Sequence, residues 1–217
     1  MIRLAVFDCD GTLVDGQAAI CAAMEAGFAA AGLAPPARHA IRRIVGLSLP
    51  QAVRLLAPDA SEEQCEVVVA AYKATFRTTR EAGALEEPLF PGITELLHAL
   101  AGNGWSLAVA TGKSDRGLAH CLAAHGIAGL FVSLQTADRH PSKPHPAMLE
   151  AAMTEAGAAP ETTVMIGDTG FDMAMARAAG VRALGVDWGY HSVAELLADG
   201  AEAVASTPAE LAELLER

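Results

Sequence analysis

An apolar run, Leu4-Ala5-Val6-Phe7, stops abruptly at two aspartates one residue apart, Asp8 and Asp10, and Gly11-Thr12 follows. A short apolar run bounded by turn residues reads as a buried strand. Asp8 then sits at the carboxyl end of that strand, the edge of an open α/β sheet where ligands bind. Residues two apart on a strand face the same way, so Asp8 and Asp10 point into one site as far as the strand geometry persists toward the turn at Gly11. Two neighbouring carboxylates need a cation or a shared proton to coexist. A hard metal ion that takes oxygen ligands, such as Mg2+, fits them. Cys9, between the two acids, faces the other way and reads as a core residue.

The rest of the chain divides in two by pattern. Residues 16–33 are Ala-rich, with Ile20, Met24, Phe28 and Ala31 near helical spacing and Gly32 as a stop. A short helix over 37–45 carries Arg38, His39, Arg42 and Arg43. Ser48 with Pro50 starts another that runs to Leu56. Ser61 starts a fourth, with Glu62-Glu63 in its first turn and an end near Thr79. No strand is evident over 16–85. After Glu86-Glu87-Pro88 the pattern changes. Helices over 93–102, 114–125, 145–157, 170–179, 192–198 and 208–216 alternate with strands at 105–110, 131–134, 163–166, 183–186 and 203–205. Such alternation implies a Rossmann-like parallel sheet core with helices on both faces, an α/β fold. The first strand must join that sheet. The chain therefore leaves the core after Asp15 and returns near Leu89. The expected organisation is a core of residues 1–15 and 88–217 with a small all-helical cap domain, 16–87, inserted after the first strand; the hinges are Val14-Gly16 and Glu86-Leu89.

Composition narrows the partners. A hydrophobic content of 52% supplies a substantial core, and the formal charge of −11 argues against nucleic acid. No apolar run reaches the roughly eighteen residues that span a bilayer, and no signal-peptide pattern opens the chain, so a cytoplasmic protein is expected, off the membrane. The cysteines, Cys9, Cys21, Cys65 and Cys121, are widely spaced and form no CxxC pair, which points to neither a zinc site nor a disulfide framework. An acidic chain that binds an anion must concentrate positive charge locally.

Three further stretches sit at strand ends. Ala110-Thr111-Gly112-Lys113-Ser114 places a hydroxyl and free helix amides where they donate to an anion, although Thr-Gly before a helix is often only a cap. Lys143-Pro144-His145-Pro146 holds a lysine in extended geometry, which suits a fixed point charge. Ile166-Gly167-Asp168-Thr169-Gly170-Phe171-Asp172 ends a strand in an acid, with a second acid four residues on, on the same helix face. Acids at a helix N-terminus also complement its dipole, which accounts for either one alone. His140 and His145, in the lysine loop, read as loop histidines and not as a second metal site.

The stretch from Asp8 to Asp15, DxDGTLxD, resembles the first motif of the haloacid dehalogenase-like hydrolases, most of which are phosphatases. The TG, KPxP and GDTxxD stretches resemble the second, third and fourth motifs, in family order. The helical insertion and the Gly185-Tyr190 segment resemble the phosphoglycolate phosphatase branch. The resemblance implies an Mg2+-dependent phosphatase acting on a small-molecule phosphate ester, phosphoglycolate first. Asp8 is then the nucleophile that forms an aspartyl phosphate, and Asp10 the general acid and base. Thr111, the Gly112 amide and Lys143 bind the phosphoryl group. Asp8, the Asp10 carbonyl and Asp168 hold the metal, and Asp172 holds a metal-bound water or Lys143. Arg42 and Arg43 are the expected substrate contacts of the cap. A phosphomutase or pyrophosphatase on the same core is the alternative, although the first cap helix has no Lys, Arg or His. A dehalogenase has no need of Asp10, and a non-catalytic binding member has no need of the full motif set. A monomer or weak homodimer is expected.

Overall fold

In a computed structural model that describes residues 1–217, six strands form one sheet: β1 (Arg3–Phe7), β2 (Trp105–Thr111), β3 (Phe131–Thr136), β4 (Thr163–Gly167), β5 (Arg182–Val186) and β6 (Ala203–Ala205). Their order is β3-β2-β1-β4-β5-β6, and every neighbouring pair is parallel. This is the α/β Rossmann-like arrangement expected. Its strand order reverses between β1 and β4, which opens a crevice at the carboxyl edge there.

The strands are buried on both faces, and their side chains sort by parity. Ala5, Phe7, Leu107, Val109, Val164, Ile166, Leu184 and Val186 point into one apolar layer. That layer is closed by α5 (Ile93–Gly102), α6 (Asp115–Ala124) and α10 (Pro208–Leu215). Leu4, Val6, Ala108, Ala110, Met165 and Ala183 point into the other, closed by α7 (Ala147–Ala156), α8 (Gly170–Ala179) and α9 (Val193–Asp199). Each fully buried large side chain contributes roughly 1.5–3 kcal/mol, so the two layers fix which way each strand end points. Cys9 lies in the first layer, as its parity requires.

Between β1 and β2 the chain forms α1 (Gln17–Ala30), α2 (Arg38–Arg43), α3 (Leu49–Leu56) and α4 (Glu62–Glu81), with no strand among them. They enclose a third apolar cluster that includes Ile20, Met24, Phe28, Ile41, Val53 and Val68. Helix α4 opens on a reciprocal capping box: Ser61 accepts from the Gln64 amide and Gln64 accepts from the Ser61 amide. The outgoing and returning segments run side by side. Val14 bridges Leu89, the Asp15 amide donates to the Pro88 carbonyl at 2.8 Å, and the Phe90 amide donates to Leu13 at 3.0 Å. No helix is long and apolar enough to cross a membrane.

Most element bounds differ from expectation by one to three residues, and two of the differences have a local cause. Helix α7 starts at Ala147 and not at 145, because Pro146 is its N-cap residue and a proline disfavours helical backbone at the residue before it, His145. Strand β3 runs to Thr136, two residues further than its apolar pattern, since Gln135 and Thr136 are buried by polar contacts: Gln135 bonds Ser133 at 2.7 Å and Thr136 bonds Asp115 at 2.6 Å.

Candidate active site

The ends of β1, β2 and β4 converge at the crevice. Asp8 follows β1 directly, Thr111 ends β2, and Asp168 follows β4. The sheet register sets Phe7 opposite Val109 on one side and Ile166 on the other, which places the three residues side by side. Asp8, Asp168 and Asp172 are fully buried and each offers a carboxylate oxygen, all within 4.8 Å of one another.

Lys143 is fully buried between two of them. Its Nζ lies 2.9 Å from Asp8 Oδ1 and 2.6 Å from Asp172 Oδ1. The other oxygen of Asp172 accepts from the Thr169 hydroxyl at 2.7 Å and the Thr169 amide at 3.2 Å. Asp168 accepts from the Thr12 hydroxyl and the Tyr190 amide, both at 2.9 Å. Asp8 differs from both: Lys143 is its one close partner, at Oδ1, and its buried Oδ2 has none.

Burial raises the Asp8 carboxyl from its ordinary 3.8 to about 7; Lys143 opposes the rise, and Asp172 and Asp10 add to it. Burial also lifts Asp168 well above the usual carboxylate range, with Asp8 and Asp172 adding to it. Burial alone would discharge Lys143, but Asp172 and Asp8 hold it charged. Three buried carboxylates against one ammonium leave negative charge uncompensated. That donor set, all oxygen, fits a hard divalent cation.

Asp10 faces a different partner. Its carboxylate lies outside this cluster, with Oδ1 3.0 Å from Lys113 Nζ, and the same ammonium is 2.6 Å from Glu87 Oε1. Burial raises the Asp10 carboxyl, against the pull of Lys113. Asp8, Asp10, Thr111, Gly112 and Lys113 line one cavity of about 510 Å³. Thr111 is buried and accepts from the Lys113 amide at 3.2 Å. The far wall of the cavity is helical: Ile44–Pro50 and one face of α4.

The loop between α2 and α3 rests directly on the site. The Ser48 amide donates to Ser142 Oγ at 2.8 Å. A Cβ on Gly112 would lie 2.5 Å from the Leu47 carbonyl oxygen and 2.7 Å from that of Gly46, so only glycine permits this approach.

Arg42 and Arg43 do not line the cavity, which corrects the expectation that they contact substrate. Arg43 pairs with Glu195, ahead of the middle of α9, at 2.6 Å, and Arg42 donates to Gln17 Oε1 at 3.2 Å. Both have partners that no local pattern reveals. His140 bonds Gln135 and His145 accepts from the Ala147 amide. The sequence reading missed Lys113 and Glu87, and the α4 residues Lys73, Arg77 and Arg80 on the cavity wall. The signals were present: Lys113 adjoins the Thr-Gly pair, and 73, 77 and 80 follow helical spacing.

Comparison with known proteins agrees with this geometry. Residues 5–186 match the family model for haloacid dehalogenase-like hydrolases. The chain is 38% identical over 216 residues to the Dickeya dadantii protein named "Probable phosphatase IndB", covering 97% of this chain and 92% of that one. It is 32% identical to "Phosphoglycolate phosphatase 1" of Pseudomonas aeruginosa, over 87% of this chain and 71% of the relative. Among solved structures, a haloacid dehalogenase-like family hydrolase from Streptococcus pneumoniae superposes with a TM-score of 0.85 at 29% identity, covering 98% of both chains. A hydrolase from Pseudomonas syringae gives 0.87 at 26%, over 100% of this chain and 98% of that one.

Proposed function

The chain belongs to the haloacid dehalogenase-like hydrolases and is a phosphatase of that family, and from this premise we propose a magnesium-dependent phosphomonoesterase that works through an aspartyl phosphate. The observation that carries the reading is Asp8: a buried carboxylate with one oxygen against the Lys143 ammonium and the other without a partner, at the end of the central strand, lining the cavity beside Thr111 and Gly112. A carboxylate held this way is available both to a cation and as a nucleophile.

In the first half-reaction an Asp8 oxygen forms a bond to phosphorus as the bond to the leaving oxygen breaks. Asp10 gives that leaving oxygen a proton. In the second, Asp10 takes a proton from the water that attacks the phosphorus, and Asp8 leaves as a free carboxylate. Thr111 Oγ1, the Gly112 amide and Lys143 receive the phosphoryl oxygens. Lys143 is held in place by Asp172, whose second oxygen is committed to Thr169. Asp8, Asp168 and the Asp10 carbonyl would hold magnesium, and Asp172 acts one step removed through Lys143. Bound there, magnesium supplies charge neutralisation for the phosphoryl group. Positioning and electrostatics do most of the remaining work in phosphoryl transfer.

We read residues 16–87 as a cap over a core of 1–15 and 88–217, with the Gly46–Ser48 loop excluding water from the site. Phosphoglycolate is the first substrate to test, because several relatives carry that name. The deciding experiment is phosphate release by wild type and Asp8→Asn with Mg2+. Asp8→Asn is expected to keep its circular dichroism spectrum and lose turnover. Wild-type-like release by that variant would refute the nucleophile.

A further inference from the structure

The cavity is larger than a phosphoryl group requires, and its outer wall is cationic in a chain of formal charge −11. Lys73, Arg77 and Arg80 lie three to four residues apart on α4 and form one stripe facing the cavity. Arg116, in the first turn of α6, lines the same space. None of the four takes part in an ion pair, whereas Arg3, Arg38, Arg43, Arg139 and Arg182 all do. Arg80 goes further: its Nε is buried without a hydrogen-bond partner. Arg80 as a whole is half-buried and takes part in no ion pair, so the outer nitrogens of its guanidinium remain available to an anion in the cavity. Besides Asp8 and Asp10 the cavity lining has one acid, Asp138, which accepts from the Asp115 amide at 2.8 Å.

We propose that this outer wall is a subsite for a second anionic group of the substrate, a carboxylate or a second phosphate carried on the leaving-group side, with Arg80 as its main contact and Arg77 and Arg116 beside it. The inference rests on the phosphatase reading and names the substrate class: a phosphomonoester with a second negative charge at its far end. Arginine suits this role because its planar fork meets carboxylate or phosphate oxygens two at a time.

The test uses matched substrate pairs with the wild-type enzyme and Mg2+: phosphoglycolate against ethyl phosphate, and fructose 1,6-bisphosphate against fructose 6-phosphate. The pairs distinguish a carboxylate from a second phosphate. Assays at about 1 M salt, where the screening length is about 3 Å, remove long-range steering. The expected result is a kcat/KM ratio of about ten- to hundredfold in favour of the doubly anionic member of at least one pair, the range that charge-assisted hydrogen bonds to one group supply. Arg80→Ala should collapse that ratio through KM, and Arg80→Lys should restore part of it. Ratios near one in both pairs with wild type overturn the subsite, and so does a ratio that survives in Arg80→Ala combined with Arg77→Ala. Absence of phosphate release from every substrate, including an aryl phosphate, would instead refute the phosphatase reading.

Discussion

At the scale of single residues, the site is a problem in charge bookkeeping solved twice. Lys143 serves Asp8 and Asp172, and Lys113 serves Asp10 and Glu87. In the second set the side chains of Lys113, Asp10 and Glu87 are 10%, 12% and 7% exposed, so the ammonium is nearly out of solvent. Removing it leaves two carboxylates facing each other. Lys113→Met should therefore destabilise the protein by about 3 kcal/mol, the cost typical of one partner lost from a buried pair. Adding Glu87→Gln should recover part of that loss in urea unfolding; a double variant no more stable than the single would show that Lys113 and Glu87 are not coupled. A second prediction concerns Asp8. Its carboxyl is raised when folded, so the folded state holds more protons than the unfolded one between about pH 4 and about pH 7. Stability contributed at this position is present at low pH and is lost as pH rises through that window. In metal-free protein, the wild type should lose stability relative to Asp8→Asn from pH 4 to pH 7. Mg2+ should raise the wild-type melting temperature more at pH 7.5 than at pH 5. A difference curve flat in pH would contradict the raised carboxyl.

At the scale of elements, the loop between α2 and α3 is the part of the helical insertion that meets the Thr111-Gly112 end of the cavity. Gly112→Ala would place a methyl group 2.5 Å from the Leu47 carbonyl oxygen. Backbone cannot yield as a flexible side chain can, so the loop must lift, at about 1–3 kcal/mol. The expected outcome is faster hydrogen exchange at the Ser48 amide, which now donates to Ser142, together with a fall in kcat. Unchanged exchange in that variant would mean that the contact is absent in solution. This loop also marks where the sequence stops being readable. The strand ends that carry Asp8, Thr111 and Asp168 were legible because apolar runs stop there at polar residues, and the parallel sheet follows from the alternation with helices, whereas its strand order does not. Lys143 was legible because proline on its carboxyl side fixes its backbone. Arg42 and Arg43 were misread because proximity in sequence to Gly46 says nothing of Glu195 and Gln17, which claim them through tertiary packing. Arg80 was missed for the converse reason: a charge on a solvated-looking helix shows its direction only once that helix has a neighbour.

At the scale of the whole molecule, the distribution of charge is as telling as its sum. A chain of net charge −11 gathers Lys73, Arg77, Arg80, Lys113 and Arg116 around one cavity and sets Lys143 among the aspartates at its floor. An anion approaching this acidic chain meets a concentration of positive charge there, which favours the site by field before contact selects it by fit. The paired segments at Val14 and Leu89 add a mechanical consequence. A body tethered by one segment can swivel in any direction, but one tethered by two adjacent segments that are hydrogen-bonded to each other is constrained like a door on two pins. Its movement reduces to a single swing about the line joining them. If the helical insertion moves as the proposed cap, lifting Ser48 from Ser142 and carrying the α4 arginines away from Arg116 would be one motion, and the two ends of the cavity would open in step.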